Sequence, residues 1–91
     1  MKVRQDIEKI TMYSTSWCAD CARAKLFYEE YGIDFEEIDI ESNPDAAAIV
    51  EKINGGNRSV PTIVNKFSDG ESILVEPNRT ELEQTYLDPN S

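Results

Sequence analysis

The chain has 91 residues, enough for one domain and not for two, and at this size only about 60–65% of the unfolded surface can be buried, which limits it to one modest core. Hydrophobic residues make up 40% and charged residues 30%, the balance of a folded soluble chain and not of a disordered one. Nine basic against eighteen acidic residues leave a net charge of −9, which argues against nucleic acid or anionic membranes as partners and favours basic protein patches.

No apolar stretch reaches the roughly 18–20 residues of a membrane span. Met1 to Asp6 start basic, but no apolar run follows, so the N-terminus does not read as a secretory signal. The expectation is a single cytoplasmic domain over residues 1–91 whose acidity serves mainly solubility.

Residues 7 to 15, IEKITMYST, mix β-branched and aromatic side chains as a buried central strand does. A helix follows from near Cys18 to about Tyr31, with Gly32 as its C-terminal cap. On it Cys21, Ala24, Tyr28 and Tyr31 share one face, and Asp20, Arg23 and Glu30 a wetter one. Residues 33 to 40, IDFEEIDI, are strand-like, with Ile38 and Ile40 on one side and Phe35 out of phase; a bulge or a half-turn entry would accommodate it.

Asn43 as N-cap and Pro44 in the first turn open a second helix, on which Ala46, Ile49, Val50 and Ile53 form the stripe that packs on a sheet. Gly55-Gly56 ends it. VPTIVNKF and ESILVE then flank Ser68-Asp69-Gly70, a hairpin signal. The last helix starts near Asn78 with Glu81 three residues on, is anchored by Leu82 and Tyr86, and ends by Asp88-Pro89. The order β-α-β-α-β-β-α makes the first two strands parallel across a right-handed crossover and the last two an antiparallel hairpin. One mixed four-stranded sheet flanked by three helices, an α/β fold, satisfies every stripe.

The only two cysteines, Cys18 and Cys21, stand three positions apart in TSWCADCARAK, and there is no histidine. A tetrahedral zinc site needs four ligands, which a monomer supplies only with carboxylates or a partner chain. A structural staple is weaker still, because closing so short a loop removes little entropy from the unfolded chain. A redox pair fits best. The spacing turns both sulfurs to one side of a helix start, whose free N–H groups and partial positive charge stabilise a thiolate. An asymmetric pair is expected, with Cys18 exposed and attacking and Cys21 covered and resolving. Asp20, within the same turn, opposes the helix by raising the Cys18 pKa and moves the disulfide's potential in the reducing direction. Arg23 and Lys25 are expected to be solvated. In NRSVPT, residues 57 to 62, the Val60-Pro61 bond is open to either isomer on the sequence alone.

MYSTSWCADC, NGGNRSVPT and FSDGESILVEP together resemble the glutaredoxins of thioredoxin fold, and within them the small mycoredoxin-like glutaredoxins, over roughly residues 8 to 87. The resemblance implies a cis Val60-Pro61 bond lying against the cysteine pair. It further implies that Cys18 attacks a mixed disulfide between a protein and a low-molecular-weight thiol of glutathione or mycothiol type. Cys18 then carries the small thiol until a second one, or Cys21, releases it. Arg58 and the Val60 backbone would hold the small thiol's polar groups, and Trp17 would wall the entrance.

The chain departs from this pattern in four places. Thr15 replaces a lysine common in glutathione-using members, and VEPNRTE replaces a Gly-Gly followed by acidic residues; both features bind glutathione's carboxylates. Asp20 stands where an aromatic residue is commoner, and Asn65-Lys66 would lengthen the hairpin. The expected partners are a small thiol and oxidised or S-thiolated proteins, with the chain a monomer that needs no cofactor or metal. Two alternatives are a redoxin reduced by thioredoxin reductase that feeds, for example, ribonucleotide reductase, and an iron–sulfur carrier bridging a cluster in a dimer through Cys18 and a bound thiol. The first usually has a Trp-Ser-Gly-Phe-Arg-Pro stretch and the second a single active-site cysteine; neither feature is present.

Overall fold

The β-branched and aromatic run that begins at Ile7 forms the middle of a sheet in the computed structural model, which describes residues 2–88. Along the chain lie β1 (Lys2–Val3), β2 (Ile7–Ser14), α1 (Ala19–Tyr31), β3 (Glu36–Asp39), α2 (Pro44–Ile53), β4 (Thr62–Phe67), β5 (Gly70–Val75), α3 (Arg79–Tyr86) and β6 (Leu87–Asp88). The main sheet has the order β3-β2-β4-β5. β3 runs parallel to β2, with Tyr13 opposite Ile38. β4 is antiparallel to β2, with Met12 opposite Ile63, and to β5, with Thr62 opposite Val75. This is the mixed four-stranded sheet with three helices that the element order requires.

Alternation along β2 sends neighbouring side chains to opposite faces. Ile10 and Met12 pack with Ile63 against Ala24, Phe27 and Tyr28 of α1 and Leu82 and Tyr86 of α3. Tyr13 faces the other way, into a smaller cluster with Ala46, Ala47 and Val50 of α2. One layer thus holds α1 and α3, the other α2.

The local caps form as the residues dictate. Gly32 ends α1 at φ 64°, a left-handed conformation that costs glycine nothing. The Asn43 side chain accepts the Ala46 N–H at the start of α2, and Asn78 and Glu81 make a full reciprocal capping box on α3.

Several expectations need correction. Phe35 lies before β3, not in it; it stacks on Tyr28 with centroids 4.8 Å apart, so the phase misfit comes from a loop entry. Ile49 is 45% exposed, and Ala47 takes its place in the buried stripe of α2, because two adjacent alanines let the helix sit close to the sheet. The cap of α2 is Asn54, one residue before the glycines; its Nδ2 donates to the Val50 carbonyl and to Thr62 Oγ1. On α1 the fully buried aromatic beside Tyr28 is Phe27, while Tyr31 is only half-buried. Asn65 and Lys66 do not lengthen the hairpin but stand in register within β4, opposite Ser72 and Glu71. α3 stops at Tyr86, two residues early, and the chain turns into β6, which pairs with β1 in a small separate ladder. Pro89, expected to close that helix, lies outside the described residues.

A polar network runs through the larger core cluster. The Tyr28 and Tyr86 hydroxyls are 2.7 Å apart, Tyr86 donates to Asn65 Oδ1 at 2.6 Å, and Asn65 Nδ2 donates to Ser72 Oγ at 3.3 Å. It ties α1, α3, β4 and β5 together at one point.

Candidate active site

β2 ends at Ser14 in the centre of the sheet, and a three-residue connection delivers Cys18 to the N-cap of α1. Cys18 has extended backbone (φ −90°, ψ 112°), and its carbonyl accepts the Ala22 N–H at 3.2 Å. Its Sγ takes the role that a Ser or Asp oxygen usually plays at this position, accepting the backbone N–H of Cys21 at 3.0 Å. The two cysteines are joined as a disulfide across a Cα–Cα distance of 5.2 Å. Cys21 is buried at 1% exposure, in the cluster with Tyr13 and Val60, whereas Cys18 is partly exposed.

Cys18 opens onto a groove of about 290 Å³ whose walls include Trp17, Asp20, Arg58, Val60 and Glu76. That volume lies at the low end for small-molecule sites. The Val60-Pro61 bond is cis; Val60 packs against the cysteines, and Pro61 is buried behind it. Four of the residues singled out from the sequence, Trp17, Cys18, Arg58 and Val60, therefore meet at one opening, with Asp20 on its rim.

Trp17 is 72% exposed, yet its indole is held, because Nε1–H donates to Glu41 Oε2 at 3.1 Å. The Arg58 guanidinium is exposed and is fixed on α2, with Nε donating to Glu51 Oε2 at 3.2 Å. Asp20 accepts from Arg23 at 2.7 Å, so Arg23 is engaged with it and not merely solvated; Lys25 turns away to Glu37 at 3.0 Å. Desolvation pushes the Glu37 carboxyl up, but hydrogen bonds from Ser14 and Lys25 outweigh it and leave the group below its ordinary value. Thr15 is buried behind the site, and its Oγ1 has no hydrogen-bond partner among the described residues.

Three carboxylates at this opening were not foreseen: Glu41, which holds Trp17, Glu51, which holds Arg58, and Glu76 in the groove wall. Of the three, only Glu76 lies in a stretch, VEPNRTE, that departs from the family pattern. Glu76 has φ 48°, a left-handed conformation uncommon outside glycine, and its N–H donates to the Pro61 carbonyl at 2.9 Å. That hydrogen bond pins the residue beside the cis bond.

Comparison with known proteins agrees with this architecture. The sequence model of the glutaredoxin family matches residues 10–73. A Mycobacterium tuberculosis protein that carries the glutaredoxin name is 47% identical over 73 residues, 80% of this chain and 83% of that one. Mycoredoxin 1 of Corynebacterium glutamicum is 34% identical over 64 residues, 70% of this chain and 76% of its own. Among solved structures, a glutaredoxin from Archaeoglobus fulgidus superposes with a TM-score of 0.68 at 30% identity, covering 84% of this chain and 83% of that one.

Proposed function

The chain belongs to the glutaredoxin family, whose members are thiol–disulfide oxidoreductases, and on that premise we propose that it reduces mixed disulfides between proteins and a low-molecular-weight thiol. The reading rests on the asymmetry of the pair: Cys18 faces a groove from the N-cap of α1, and Cys21 is buried behind it.

In the dithiol form, the Cys18 thiolate is stabilised by the Cys21 N–H and the positive end of α1. It attacks the small thiol's sulfur in the mixed disulfide. One S–S bond forms on Cys18 as the S–S bond between the small thiol and the substrate protein's cysteine breaks, and the protein leaves as a thiolate that takes up a proton. The small thiol is then bound through sulfur to Cys18, with its polar groups against Arg58 and the Val60 backbone and Trp17 at the edge. A second small thiol attacks the Cys18-bound sulfur, forms the symmetrical small disulfide and releases the Cys18 thiolate, or Cys21 attacks Cys18 Sγ, expels the small thiol as a thiolate and leaves the intramolecular disulfide. In the first route the protein's mixed disulfide is exchanged for one between two small thiols; in the second, two electrons pass from the two cysteine thiols to the mixed disulfide. Asp20 tunes the nucleophile through the charge it places in the first turn.

The test is steady-state reduction of a protein S-thiolated with glutathione or mycothiol, with the matching free thiol as reductant. Turnover by the intact pair and its loss in Cys18→Ser support the reading. Equal turnover without Cys18 would refute it.

A further inference from the structure

The charges around the groove are unequally compensated. Asp20 is neutralised by Arg23 at 2.7 Å, and Arg58 by Glu51 at 3.2 Å. Each of these side chains has an oppositely charged partner. Glu76 is different: the residue is exposed and lines the groove, and its carboxylate has no side-chain partner among the described residues. Its place is not loosely held, since the N–H bond to the Pro61 carbonyl fixes the backbone in a left-handed conformation that a non-glycine residue adopts only where its surroundings demand it. Glu76 therefore stands in the groove lining as a negative charge without a cationic partner, and Glu41, bound only to neutral groups behind Trp17, adds a charge of the same sign farther out, on a chain whose net charge is already −9.

We infer that Glu76 is a specificity-determining residue that biases the site toward disulfides carrying positive charge next to the attacked sulfur and against those carrying carboxylates there. The substrate class is cationic: basic segments around the thiolated cysteine of a target protein, or a small thiol without a carboxylate at that place. This inference rests on the reading of the Cys18 pair as the reacting group. A fixed charge acts here through encounter and through the bound complex, and its reach is about 10 Å at 0.1 M salt.

Three symmetrical disulfides of similar size isolate the effect: cystamine with two ammonium groups, 3,3′-dithiodipropionate with two carboxylates, and bis(2-hydroxyethyl) disulfide, which is neutral. Each oxidises the reduced protein in two exchanges. Cys18 forms a bond to one sulfur and expels one thiolate, then Cys21 attacks Cys18 and expels the second; the protein pair loses two electrons and the reagent becomes two thiols. The rate for each charged reagent, divided by that for the neutral one in the same protein, is compared between the unmodified chain, Glu76→Gln and Glu29→Gln. Glu29 lies at the far end of α1, about 16 Å from Cys18 at 1.5 Å per residue, and controls for net charge.

In Glu76→Gln at 10 mM salt the cystamine ratio falls and the dithiodipropionate ratio rises, each about two- to threefold. Both changes shrink in 0.5 M salt, and Glu29→Gln produces less than half of either. Ratios that stay fixed, that move in the same direction, or that move equally in Glu29→Gln overturn the inference. Should those ratios fail to respond while all three reagents still oxidise the pair, the charge selection falls and the oxidoreductase reading stands. If none of them oxidises Cys18, both fall.

Discussion

The backbone N–H of Cys21 donates to the Sγ of Cys18 at 3.0 Å, so the first turn of α1 is capped by the sulfur of the proposed nucleophile. A capping N–H and the helix dipole both favour negative charge on Cys18, and neither reaches Cys21 equally, because that thiol is buried among apolar side chains. Cys18 is therefore expected to be the more reactive of the two thiols in the reduced protein. Alkylation at pH 7 checks this: Cys21→Ser reacts through Cys18 about tenfold faster than Cys18→Ser reacts through Cys21. Equal rates would remove the asymmetry on which the mechanism depends.

If Asp20 tunes Cys18 as proposed, Asp20 and its partner Arg23 act on the thiolate with opposite signs. Asp20→Asn removes a negative charge one turn away and leaves Arg23 unpaired, so the Cys18 pKa falls; Arg23→Gln leaves Asp20 uncompensated and raises it. Thiolate absorbance followed through a pH titration of the two variants separates these directions. A rise in Asp20→Asn contradicts the tuning role.

Tyr86 stands at the centre of the buried network, touching the Tyr28 hydroxyl and Asn65 Oδ1. Tyr86→Phe leaves two buried polar groups without that partner and costs about 1–3 kcal/mol in urea unfolding. Tyr28→Phe costs less, about 0.5–1.5 kcal/mol, since Tyr86 keeps its bond to Asn65.

The same tyrosines set an alkaline limit. Burial pushes the Tyr28 phenol up to about 12, against a smaller lowering by its bond to Tyr86, and burial raises Tyr86 also. A raised folded value means that the contribution to stability is complete below the unfolded value near 10 and is lost as the pH climbs from there through about 12. Melting temperature should fall across that interval, and less steeply in Tyr28→Phe.

At the acid end Glu30 is held below its ordinary value by Arg79, and Asp6 by Arg4. Lowered carboxyl values give a contribution that is present above the unfolded values near 4 and is lost as pH falls. Both pairs are largely solvent-screened, so the loss is small and shrinks with salt. Arg79→Gln, which frees Glu30 on α1 and Glu83 on α3, should flatten the acid side of a melting-temperature profile.

What could be read beforehand was local chemistry. Gly32, Asn43-Pro44 and Asn78 with Glu81 mark helix ends through bonds that close within a few residues, and the spacing of Cys18 and Cys21 is itself such a local relation. What could not be read depends on distant chain segments. Asn65 looks like a hairpin polar residue until Tyr86, 21 positions on, comes to lie on it. Ile49 sits on a valid helical stripe, and only the close seat of Ala46 and Ala47 on the sheet turns it outward. The cis form of Val60-Pro61 came from resemblance and not from the dipeptide itself. Glu41 and Glu51 have no local signature, and Glu76 shows only as part of a stretch that departs from the family pattern; tertiary closure brings them to Trp17, Arg58 and the groove.

The most direct test of the central claim is the intact mass of Cys21→Ser after reaction, in reduced form, with a protein S-thiolated by a small thiol. Without Cys21 the reaction halts after the first exchange. The account predicts that Cys18 gains the mass of the small thiol while the substrate protein loses it and regains a free cysteine. A Cys18 linked instead to the substrate protein, or left bare beside an intact mixed disulfide, would contradict it.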